Sequence, residues 1–187
     1  MISISRHQRL VLFLEIFAVI GNLLYTWLYL KGEPIAFAFA FVGSLAFVWV
    51  CFQKKIFAES ALHVFYTFMA IYGFLHVNDT WALEHLPLWR HILLIIPAIL
   101  LTVVTGRFLQ RRTSSKMPYL DAFTTVFSIV ATWLMVNFVH ENWLYWIIID
   151  FVAIFLYVRR KLYFGALLFL IYTFLAIDGF FNLSLFT

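Results

Sequence analysis

Trp143, Trp146 and Asp150 stand at i, i+3 and i+7 within an apolar stretch, so a helix there presents all three on one face. Two indole rings beside a carboxylate suit a flat organic cation. Each ring face offers a cation–π contact of about 0.5–2 kcal/mol, and the acid supplies the countercharge. A second acid, Asp178, falls in another apolar stretch near the chain's end. At about 1.5 Å per helical residue, Asp150 lies roughly 10 Å from the Trp143 end of its stretch. Asp178 lies about 21 Å along its own stretch from Phe164, which sets both acids toward the same half of a membrane. An intramembrane carboxylate costs about 2.5–3.5 kcal/mol on insertion scales and is a functional candidate by default. The competing readings are an interfacial belt role for Trp143, plain packing for Trp146, and a structural Asp bonded to a neighbouring Tyr or Asn.

Other polar groups within the apolar runs form a wider set. Asn22, Tyr66, Tyr72 and Tyr172 are candidates to line a path. Glu15, Glu59 and Asp121 each fall at the start of an apolar run, where an acid suits the positive end of a helix dipole. His76, His85, His91, Asp79 and Glu84 cluster in sequence but lack metal-ligand spacing, so no metal is expected. No Gly-rich phosphate loop, nucleophile elbow or Cys pair is present, which leaves no catalytic residue to name and no cofactor to hold.

The elements that must position these residues are membrane spans. Apolar residues are 65% of the 187 and charged residues 12%, against roughly 25% charged in soluble proteins. Seven runs approach the length of about 20 residues that crosses a bilayer: 10–30, 35–52, 58–77, 92–108, 119–139, 143–158 and 164–186. The first is too long for a signal-peptide core and is expected to stay as a span. Pro97 falls inside the fourth run, where it is expected to kink the helix. The net charge of +4 comes with no basic helix face, so nucleic acid is not an expected partner.

The runs repeat. Tyr66-Thr-Phe-Met-Ala-Ile-Tyr-Gly-Phe74 and Tyr172-Thr-Phe-Leu-Ala-Ile-Asp-Gly-Phe180 agree at seven of nine positions, 106 residues apart. The same offset pairs Trp27-Leu28 with Trp133-Leu134 and Glu15 with Asp121. The fold expected is all-α and integral to the membrane, one domain over 1–187. A first three-helix repeat covers 10–77, a linker helix 92–108 and a second repeat 119–186. Four crossings separate equivalent helices, so the repeats are expected to run parallel, in a 3+1+3 plan like that of SWEET transporters. Eleven of the thirteen Lys and Arg fall in alternate connections, among them Lys54, Lys55, Arg111, Arg112 and Arg160; only Lys31 and Arg90 fall on the other side. The positive-inside rule then expects a cytoplasmic N-terminus and an external C-terminus.

The second repeat carries Pro118-Tyr-Leu-Asp121 and Glu141-Asn-Trp-Leu-Tyr-Trp-Ile-Ile-Ile-Asp150, then Leu156-Tyr157, Lys161-Leu-Tyr163 and Ala176-Ile-Asp-Gly179. This string resembles the PnuC family of bacterial vitamin transporters, whose mark is a Trp-x-x-Trp pair opening the sixth span. The resemblance is close from Pro118 to Phe180 and looser from Glu15 to Phe74. It implies uptake of an unphosphorylated cationic vitamin precursor, most often nicotinamide riboside, across the bacterial inner membrane. It also implies facilitated diffusion, a cytoplasmic kinase that traps the product, and a homotrimer. Asp150 and Asp178 stand where some riboside carriers have Asn, which keeps thiamine open as the substrate. A proton-coupled symporter using Asp150 or Asp178 also stays open. A seven-helix receptor or retinal protein is disfavoured by the internal N-terminus and by the lack of a Lys within a span. An intramembrane enzyme is disfavoured by the lack of a catalytic constellation.

Overall fold

In the computed structural model, residues 6–53, 57–77, 83–113, 115–161 and 163–186 are described; Lys54, Lys55 and Asp79 lie outside them. Seven helices follow in order: α1 (Arg6–Leu30), α2 (Ala36–Gln53), α3 (Phe57–His76), α4 (Leu88–Arg112), α5 (Pro118–Val136), α6 (Asn142–Arg159) and α7 (Tyr163–Phe181). No strand forms among the described residues. Five helices (α1, α2, α4, α5 and α6) are long and apolar enough to cross a bilayer, and α7 is apolar over the shorter stretch Gly165–Phe181. Leu100 and Val104 of α4 are each 63% exposed, a face that only lipid can cover without penalty. The chain is a multi-pass helical membrane protein.

The duplication read from sequence reappears in the helix ends. Shifted by 106, the bounds of α2 coincide with those of α6, the start of α3 with that of α7, and the end of α1 with that of α5. The spans match the expected runs to within a residue at most ends, with four exceptions, the first being α1, which starts at Arg6 rather than at residue 10. α4 extends at both ends to 25 residues and runs continuously through Pro97. α5 stops at Val136 because the chain turns at Phe138, whose φ of 56° is left-handed. α7 stops at Phe181, where Asn182 and Ser184 adopt φ of 50° and 55° and fold the tail back.

Contacts divide the chain into two compact units, residues 1–81 and 82–187. In the first, α2 packs against α1 and against α3. Small residues let the backbones close: a Cβ on Gly21 would lie 3.4 Å from the Gly43 Cα, and Asn22 covers Gly43. Phe37 of α2 lies directly over Gly73 of α3. In the second unit, α6 packs against α5 and α7, and α4 packs against α5. Its apolar core joins Ala98, Val126, Phe127, Ala131, Leu134 and Ile149. Trp143 of α6 lies directly over Gly179 of α7. Trp143 and Gly179 are the 106-shifted partners of Phe37 and Gly73, so each repeat seats an aromatic ring from its second helix on a glycine of its third.

At the Pro118 end of the second unit, Arg160 Nη2 meets both oxygens of Asp121, at 2.6 and 2.8 Å, and the Ser115 hydroxyl donates to Asp121 Oδ2 at 2.5 Å. The Asp121 carboxylate therefore ties the start of α5 to the end of α6, a structural use consistent with its place at a helix start. Its counterpart Glu15 borders a shallow open groove with His7, Gln8 and Gln53 in the first unit.

Candidate functional site

Helix α6 carries the candidate face. Trp143 is 2% exposed, with its ring against Gly179. Trp146 packs on the core formed by α4, α5 and α6. Asp150 is 2% exposed. It lies within Coulombic reach of Tyr172, across the α6–α7 contact.

Two buried hydroxyls of this unit bond within their own helices, while Thr102 Oγ1 is left open. Thr132 donates to the Ser128 carbonyl at 2.7 Å and Thr173 to the Phe169 carbonyl at 2.9 Å, each one turn back along its own helix. Asp150 Oδ2 and Trp146 Nε1 are also buried with no hydrogen-bond partner, as is Asn142 Oδ1. Buried polar atoms are nearly always paired, and an orphaned carboxylate oxygen in a lipid-embedded bundle is the costliest kind to leave. An acceptor and a donor are thus left open one turn apart on α6.

The remaining candidates are placed as follows. Asp178 is 1% exposed, and its two oxygens accept from the Leu185 and Phe186 N–H groups at 3.0 and 3.1 Å. Its carboxylate thus anchors the folded-back tail. Tyr72, the repeat partner of Asp178, stacks on His76 with ring centres 3.9 Å apart. Tyr66 sits edge-on to His63 at 5.5 Å. The Asn22 amide donates to the Ala18 carbonyl at 2.9 Å, at the α1–α2 crossing. The structure thus seats Trp143 against α7 and Asp150 near Tyr172, while Trp146 packs on the core of α4, α5 and α6. It engages Asp178 in the tail and Asn22 in helix packing.

Two features lie beyond the sequence-based set. His63, inside α3, stacks on Phe47 at 4.6 Å with its Nδ1 buried and unpartnered; an imidazole within a span is the signal that finds it. Glu141 gathers His85, the Leu86 N–H and His91 around its carboxylate. Nothing local announces that cluster, because its partners lie 50 or more residues upstream. Among the described residues no His, Cys, Asp or Glu group could hold a metal ion.

The sequence profile of the Nicotinamide mononucleotide transporter family matches residues 12–184. The chain belongs to that family. The match takes in all of α2 to α7 and α1 from Leu12 onward, so it reaches into both units. Two curated proteins, the Nicotinamide riboside transporter PnuC of Escherichia coli (strain K12) and that of Shigella flexneri, are each 37% identical over 62 residues. That stretch is 33% of this chain and 26% of each relative, so only about a quarter of their length is matched. The crystal structure of the Vitamin B3 transporter PnuC shares the fold with a TM-score of 0.72, at 22% identity, over 91% of this chain and 80% of that one. The family and the fold are those expected from the Trp-x-x-Trp string. The orphaned Asp150–Trp146 pair therefore sits in the second repeat of a transporter fold.

Proposed function

We propose that the chain carries an unphosphorylated, cationic vitamin precursor across the bacterial inner membrane by facilitated diffusion, with nicotinamide riboside as the substrate. The observation that carries this reading is the Asp150–Trp146 pair, buried and unsatisfied beside an aromatic face. Nicotinamide riboside holds a permanent pyridinium charge, which a carboxylate can neutralise and an indole can cover. The mononucleotide of the family's name adds a phosphate. A phosphate brought beside a buried carboxylate meets like-charge repulsion in a low dielectric, so the unphosphorylated form is favoured. The printed names of the two curated relatives point the same way. Thiamine, with a permanent thiazolium charge, is the alternative that the same chemistry admits.

Trp146 and Asp150 are the proposed contacts, with Tyr172 beside them. Trp143 contributes by holding α6 on α7, and Asp178 by holding the tail. The charge asymmetry of the connections supports a cytoplasmic N-terminus. Two parallel repeats rocking about one site, a homotrimeric assembly and a cytoplasmic kinase that consumes the product complete the reading. Titration of the purified protein with nicotinamide riboside and thiamine side by side, followed by Trp fluorescence, tests the substrate. Saturable quenching by nicotinamide riboside at lower concentration than thiamine is expected. Binding of thiamine alone reassigns the substrate, and binding of neither removes the reading.

A further inference from the structure

Glu141 is the N-cap residue of α6, two positions before Trp143, yet its side chain does not cap that helix. Its carboxylate is met from other elements. From the strap 83–87, His85 Nδ1 lies 2.8 Å from Oε1 and the Leu86 N–H donates to Oε2 at 3.1 Å. From α4, His91 Nε2 lies 3.8 Å from Oε2. His91 Nδ1 in turn lies 2.9 Å from the Tyr145 hydroxyl, one turn along α6. Backbone bonds of 2.8 Å, Glu84 N–H to the Phe138 carbonyl and His140 N–H to the Glu84 carbonyl, pin the strap across the α5–α6 turn. The His140 ring lies 5.0 Å from that of His85, and its Nε2 lies 3.1 Å from the Phe180 carbonyl of α7. The Glu84 side chain is exposed. Every element of the second unit that reaches this end of α6 is thus tied to one carboxylate or to its immediate neighbours.

We infer that Glu141 is a positioning residue, which holds the first turns of α6 against the strap and α4 so that the Trp146–Asp150 face keeps its binding geometry. The inference rests on the reading of that face as the substrate contact. The need for such a tie follows from the turn itself. α5 ends at a left-handed Phe138, and no side chain caps α6 from within, so outside bonds set the direction in which α6 starts. A carboxylate is suited to the task because it accepts several charge-assisted bonds at once. Burial pushes the Glu141 carboxyl up, but the His85 hydrogen bond, the Leu86 N–H and the His85 charge outweigh it and hold the group below its ordinary value of 4.5. A lowered carboxyl contributes fully above pH 4.5, and the contribution is lost as pH falls through the lowered value.

The test is Glu141→Gln, which keeps the shape and an acceptor for Leu86 but removes the charge. The expected Kd for nicotinamide riboside rises about 3- to 10-fold, with flux at saturating substrate unchanged, as for a loss of binding geometry alone. The ratio of variant to wild-type Kd falls toward one as pH drops below 4.5. Adding His85→Asn to the variant weakens binding no further, because the two act through one contact. Equal Kd in the folded variant overturns the inference, as does a parallel loss of melting temperature and saturating flux. Hydrogen exchange needs no ligand and tests the tie between Glu141, the strap and α6 even if the wild type binds neither vitamin, an outcome that removes the substrate reading. The Leu86 amide and the first turn of α6 are expected to exchange faster in Glu141→Gln, and unchanged protection overturns the inference.

Discussion

Asp150→Asn is expected to weaken binding of the cationic substrate about 10- to 100-fold while the protein stays folded, a loss of about 1.4–3 kcal/mol. The substitution keeps the side chain's size, so packing of a residue only 2% exposed is undisturbed. It removes the countercharge, leaving the pyridinium or thiazolium ring with only aromatic contacts in a low-dielectric site. The Asn amide can still bond, but it cannot neutralise. Trp146→Ala acts in the same direction by removing the ring face. Calorimetric titration of the two variants, with melting curves as the control for folding, measures the effect. Wild-type affinity in a folded Asp150→Asn protein assigns this acid to structure and detaches it from the substrate.

Gly179→Ala is expected to destabilise the fold by about 1–3 kcal/mol, and Gly73→Ala by a similar amount. Alanine is ordinarily the better helix residue, by about 0.5–1 kcal/mol over glycine. Here packing decides instead. A Cβ on Gly179 would lie 2.5 Å from Cε2 of the Trp143 ring, and one on Gly73 would overlap the Phe37 ring more deeply still. Trp143 and Phe37 are 2% and 1% exposed, so neither ring has room to swing aside. Trimming the ring restores the space, and Gly179→Ala with Trp143→Leu is expected to lose less than the two single changes summed. Thermal unfolding of the four combinations measures the coupling. A higher melting temperature for Gly179→Ala contradicts the ring-on-glycine packing.

The spans and the duplication were legible because both are one-dimensional signals: apolar run length and a constant offset. The expected 143–158 run differs from α6 by one residue at each end. The helical spacing of Trp143, Trp146 and Asp150 was legible for the same reason. What each side chain touches was not. The Asp178 bonds to Leu185 and Phe186 require left-handed Asn182 and Ser184, a conformation that no glycine there advertises. Trp143 and Gly179 are both visible in sequence, but their contact depends on how α6 crosses α7. The Glu141 cluster depends on a strap 55 residues upstream, held by two backbone bonds that leave no trace in residue type.

Purified protein reconstituted in liposomes tests the transport claim most directly. With nicotinamide riboside outside and no ion gradient, diffusion through the protein predicts influx until internal and external free concentrations match. A nicotinamide riboside kinase with ATP enclosed in the lumen then raises total accumulation by consuming the free form. An imposed proton gradient should leave the plateau of free substrate where it was. Free substrate driven above its external concentration by that gradient would contradict diffusion and make Asp150 or Asp178 a proton carrier.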